Sequence, residues 1–147
     1  MKDYVIRLTF VRERKVVFTG TSFVGYVGIL TGMKPHAFAV SVNFRSIIPV
    51  DATTKDFIQT ASTSFLAAVK SAWPVAFLVR ASLEEDTSYQ QAVASLSTSK
   101  LISPCYITIA GTKHNEGVCI TRDRGGSVKG KEYYLSQGPV VQVSSFT

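Results

Sequence analysis

The apolar pattern of this chain changes period twice, from alternation to helical spacing and back again, and that order narrows the fold more than any single motif. In Tyr4–Val11, Ile6, Leu8 and Phe10 alternate with Val5, Arg7 and Thr9; after a break at Arg12–Lys15, Val16–Thr19 continues, which predicts a hairpin. Gly20, Gly25, Gly28 and Gly32 punctuate the next stretch, where a strand is expected through Tyr26–Leu30. Phe38–Phe44 reads as a fourth strand with Ala39, Ser41 and Asn43 on one side. Between Thr54 and Ala72, Phe57, Ala61, Phe65 and Val69 recur at helical spacing behind Thr53 or Thr54 as N-cap. Pro74 suits the first turn of a second helix carrying Val75, Leu78 and Val79, and Thr87 or Ser88 caps a third carrying Ala92, Val93 and Leu96. Strands return at Tyr106–Ala110, Val118–Thr121, Tyr133–Leu135 and Val140–Val143. This order predicts an α+β fold, with helices segregated on a face of one or two sheets.

The 147 residues suit one domain, and no internal repeat or linker divides them. No apolar run reaches the roughly 18 to 20 residues of a membrane-spanning helix, and the first residues lack the uninterrupted apolar core of a secretory signal. The net charge of +6 is spread over Arg12–Lys15, Arg122–Arg124 and Lys129–Lys131. All three groups read as solvated turns; an anionic membrane surface is the sharper partner they suggest, and no nucleic-acid motif accompanies them. The glycines of GTSFVGYVGILTG lack the spacing and the closing Lys-Ser/Thr of a phosphate loop, and no G-x-S-x-G elbow is present. His36 and His114 lie beside turn residues, and Glu84, Glu85 and Asp86 read as a solvated run between helices. Cys105 and Cys119 form no metal-ligand pattern, and neither a cofactor nor a metal is expected. If Ile107–Thr112 and Gly117–Arg122 pair about Lys113–Glu116, Cys119 faces Ala110, about 17 Å along the strand from Cys105, which forbids a disulfide.

Three segments carry a family resemblance: SFVGYVGILTGMKP (Ser22–Pro35), PVAFLVRASLEEDTSY (Pro74–Tyr89) and EGVCITRDR (Glu116–Arg124). With Phe38–Arg45 they resemble the β-subunit of acid ceramidase and N-acylethanolamine acid amidase, N-terminal-nucleophile cysteine hydrolases related to choloylglycine hydrolases. The resemblance implies a four-layer αββα fold, of which residues 1–147 would form one incomplete β-subunit domain. It also implies hydrolysis of the fatty-acid amide of ceramide or an N-acylethanolamine by an N-terminal cysteine whose own α-amino group moves the proton. This sequence begins with Met1 and has no cysteine there. The nucleophile is therefore expected from a missing N-terminal portion or α-subunit, the chain is expected to be inactive alone, and an uncovered sheet edge is expected to favour oligomers or aggregates. The alternative is a non-catalytic lipid-binding relative. By the same resemblance Asn43 takes an oxyanion-hole position, with Phe44 where ceramidases have glutamate and Arg45, a candidate substrate contact, kept. Ser144 stands where the family has a second oxyanion asparagine, and the family's later arginine lies past Thr147. A lysosomal or secreted location is expected if a signal peptide lies upstream.

Overall fold

The computed structural model describes residues 4–45 and 52–140. Seven strands, β1 (Val5–Arg12), β2 (Lys15–Phe23), β3 (Thr31–Lys34), β4 (Phe38–Phe44), β5 (Cys105–Gly111), β6 (Gly117–Asp123) and β7 (Gly126–Tyr134), form one antiparallel sheet in sequence order. Helices α1 (Thr54–Val69), α2 (Val75–Glu85) and α3 (Tyr89–Thr98) lie between β4 and β5 in the chain. This is the α+β order that the periodicity predicts. The described residues supply one sheet and its helices out of the four layers of the αββα arrangement.

Among the described residues, helices pack only one face of the sheet. Ile6, Leu8 and Phe10 on β1 share a face with Phe18 on β2, Phe38 and Val40 on β4, Ile107 and Ile109 on β5, and Val118 and Ile120 on β6. Against this face α2 brings Leu78, Val79 and Leu83, and α3 brings Ala92 and Leu96, all buried. Burying a side chain of this size contributes about 1.5 to 3 kcal/mol, so this layer holds the fold together. Asp86 between the two helices accepts from Ser82 Oγ at 2.5 Å and Ser95 Oγ at 2.6 Å, and Glu84 pairs with Arg80 and Arg12. Of the acidic run read as solvated, Asp86 ties α2 to α3 and Glu84 ties α2 to the β1–β2 hairpin, while Glu85 is exposed as expected.

Three local readings change in the structure. The third strand lies at Thr31–Lys34 and not at Tyr26–Leu30, because residues 26–29 leave the sheet to dock on α2, while Leu30 O still accepts from Val42 N on β4. There Ile29 N donates to Ala76 O, Ser22 Oγ donates to Gly28 O, and a Cβ on Gly28 would fall 2.5 Å from Ala76 Cβ. The β5–β6 hairpin pairs Ala110 with Gly117 and Thr108 with Cys119, two residues away from the expected register. Glu116 causes the shift: its carboxylate folds back to accept from the amides of Thr112 and Lys113, while Asn115 turns with φ +63°. Cys105 and Cys119 thus sit on opposite faces, and a disulfide remains excluded for a stronger reason than separation along the strand. Arg122 and Asp123 belong to β6 and Lys129–Lys131 to β7, so of the three basic groups Arg12–Lys15 spans a hairpin turn, with Glu13 and Arg14 at φ +51° and +63°, and Arg122–Arg124 places only Arg124 in one, the β6–β7 turn. The strand expected at Val140–Val143 extends outside the described residues.

The Gly28 contact has a direct test. Gly28→Ala should lower stability by about 1 to 3 kcal/mol, since Ala76 Cβ has no rotamer to move away, and urea unfolding of the two proteins measures it.

Candidate active-site face

The strand alternation that buries Val40 and partly buries Val42 turns Ala39, Ser41 and Asn43 to the face that no described helix covers. On this face the neighbours are small or hydroxylated. Thr31 and Ser41 share a hydroxyl–hydroxyl hydrogen bond of 3.3 Å, and Thr108 lies opposite Ser41. Two hollows meet at Thr108 and Ala110: one of about 330 Å³ bounded by Arg7, Thr19, Met33 and Ser41, the other of about 370 Å³ bounded by Asn43, Cys119, Leu135 and Val140. Asn43 is the exposed amide at the end of β4, opposite Tyr106, with its side chain open to a ligand in the second hollow.

Arg45 follows two residues later. Its Nη1 donates to Arg122 O at 3.2 Å, which ties the end of β4 to β6 across β5. Ser144 lies outside the described residues; Arg45 follows Asn43 in the chain but does not line the hollow that Asn43 borders. The larger finding is Arg122, whose side chain is fully buried with Nη2 donating to Ser99 O. A sequence signal for it exists: Arg122 continues the phase of Val118 and Ile120 in the run VCITRD, so the alternation points it inward.

Cys105 does not have the surroundings of an activated thiolate. Cys105 is 3% exposed on the helix-packed face, and burial pushes its thiol up to about 11, with Arg122 and Arg45 pulling weakly the other way. Cys119 is 2% exposed beside Thr108. Among the described residues no group of His, Cys, Asp and Glu is arranged to hold a metal, and His36 occupies a turn at φ +58°.

A single antiparallel sheet with helices packed on one face is an arrangement this chain shares with a solved amidase. The solved structure of the Caenorhabditis elegans N-acylethanolamine-hydrolyzing acid amidase ortholog matches with a TM-score of 0.73 and 34% identity, covering 90% of this chain and 52% of that one. Acid ceramidase of Mus musculus is 39% identical over 128 residues, and that of Homo sapiens 34% over 138 residues, 87% and 94% of this chain. The Mus musculus N-acylethanolamine-hydrolyzing acid amidase is 36% identical over 126 residues, 86% of the chain. No protein-family model matches. Over the span it covers, the chain belongs to the acid ceramidase and N-acylethanolamine acid amidase family. It spans about a third of the length of these curated relatives.

The Cys105 environment predicts a pH dependence. Because the folded thiol holds its proton more tightly than a free cysteine does, its contribution to stability is complete below about pH 9 and is lost as pH rises through about 11. Urea midpoints measured from pH 8 to 11 should fall more steeply in the parent protein than in Cys105→Ala.

Proposed function

We propose that this chain carries the oxyanion side of a lipid-amide hydrolase, acting on the fatty-acid amide of ceramide or an N-acylethanolamine. Asn43 carries this reading: it is an exposed side-chain amide, fixed at a strand end, opening on a hollow large enough for an amide and the first carbons of an acyl chain. In acyl transfer such a donor stabilises the tetrahedral oxyanion, and removing one costs about 10²- to 10³-fold in rate. Arg45 acts through its bond to Arg122 O, which holds the strand end in place. The nucleophile comes from outside this sequence, since Cys105 and Cys119 are both buried and Cys105 is protonated at any working pH. Alone, the chain binds lipid without turning it over. A lysosomal or secreted location accords with the acid amidases it is similar to.

The membrane partner rests on α1. Its apolar side, Phe57, Ile58, Phe65, Leu66 and Val69, is 52% to 73% exposed, while its small side faces the protein through Ser64, which accepts from Arg124, and Ala67. A helix of a globular domain ordinarily turns these the other way round. Lys70, Lys100 and Arg124 border its foot, a charge distribution that suits an anionic lipid surface.

Two measurements test these readings. With a fluorogenic fatty-acyl amide, the chain alone should release no product; supplying the remaining two-thirds of a relative's chain should restore release, and Asn43→Ala should reduce it by about 10²- to 10³-fold. Turnover by the chain alone would refute the division of labour. In vesicle sedimentation, phosphatidylglycerol vesicles should pellet the chain, and the double variant Phe57→Gln, Phe65→Gln should remain in the supernatant. Equal pelleting of both would remove α1 from the docking surface.

A further inference from the structure

Among the described residues, three buried side-chain polar atoms have no hydrogen-bond partner in the protein: Ser97 Oγ, Arg122 Nε and Arg122 Nη1. They belong to one seam, where the last turn of α3 crosses the β6–β7 hairpin. Arg122 Nη2 donates to Ser99 O in that turn, and Ser97 O lies 3.6 Å from where a Cβ on Gly126 would stand, at the start of β7. Arg122 has no exposed surface, and a guanidinium stays charged even where burial opposes it.

The surrounding charge does not balance it. Asp123 and Glu132 are the acids that act on Arg122 electrostatically, yet neither forms an ion pair with it. The Asp123 carboxylate accepts from Arg124 N at 2.8 Å, and that of Glu132 accepts from Tyr134 OH at 3.0 Å. Arg45 brings a second guanidinium to Arg122 O. Cys105, the cross-strand neighbour of Arg122, is a neutral thiol. A buried charge without a counter-charge is among the costliest arrangements in a protein interior, and a bridging neutral molecule would satisfy the donors while leaving the charge.

We propose that this seam is a binding site for a small monovalent anion of the halide class, held by the Nε–H and Nη1–H of Arg122 and by the hydroxyl of Ser97. Two unpartnered guanidinium donors, an unpartnered hydroxyl in the same seam and one fixed positive charge suit a spherical anion. The bound ion joins α3 to β6 and, through the Arg122 carbonyl and Arg45, stiffens the strand end that carries Asn43.

The test is thermal unfolding of the chain while chloride replaces gluconate from 0 to about 100 mM at constant ionic strength, where a ligand bound only by the folded state raises Tm by several degrees and saturates. The rise should appear in the parent protein and in Lys129→Met, and vanish in Arg122→Met. Bromide-soaked crystals of the parent protein should show an anomalous peak within hydrogen-bond distance of Arg122 Nε and Nη1, a readout that stands even if Arg122→Met does not fold. No chloride dependence together with no bromide peak overturns the proposal. A chloride rise that survives in Arg122→Met, or a bromide peak only elsewhere, overturns it equally.

Discussion

One parity governs the whole sheet. All neighbouring strands are antiparallel and follow each other in the chain, so a side chain's face is fixed by its place in an unbroken register from β2 through β6. A slip of one residue anywhere would send Ile107, Ile109 and Val40 to solvent and bring Thr108 and Ser41 into the core. The burial of one face against α2 and α3 makes such a slip very unfavourable, and the same burial leaves Asn43 outside. The position of the candidate oxyanion donor is thus a consequence of core packing on the far side of its own strand.

Charges are handled differently at the two ends of the molecule. Near the β1–β2 turn, Arg12, Arg80 and Glu84 form partly exposed pairs, and Arg80 also lies over the Phe10 ring at 4.9 Å. Such pairs are individually weak and are screened by salt. At the β4–β6 end, Arg45, Arg122 and Arg124 bond mainly to carbonyls, of Arg122, Ser99 and Ile102, so guanidinium groups do the work that backbone pairing does elsewhere. Carbonyl acceptors fix orientation without neutralising charge, which leaves this end electrically positive.

The element order, three helix caps and the inward phase of β1 and β4 were legible in the sequence, because period and cap chemistry are local. Thr53, Pro74 and Ser88 occupy the N-cap positions of α1, α2 and α3, at or beside the residues that the sequence suggests. The misplaced third strand and the shifted hairpin share a cause: each depends on a contact with a partner distant in sequence or on a side chain folding back. Gly28 reads as turn punctuation until Ala76 is known to stand against it, and Glu116 reads as a loop charge until it accepts two amides. Arg122 was lost for another reason, since charge outweighed phase in reading TRDR as a turn. Helical spacing located α1 but carried no information on which way its aromatic side would face.

The consecutive strand order also shapes how the chain acquires its structure. Strands β1 to β4 and β5 to β7 are each joined to their neighbours by short connections, so each group can zip up from hairpins with little loop-closure entropy. Only the β4–β5 pairing joins residues far apart, with Phe44 opposite Cys105 across about 60 residues of intervening chain. That one closure brings the two halves of the sheet together, and it runs along the strand that carries Asn43. The rate at which the molecule forms and the time at which its candidate site first exists are therefore set by the same event.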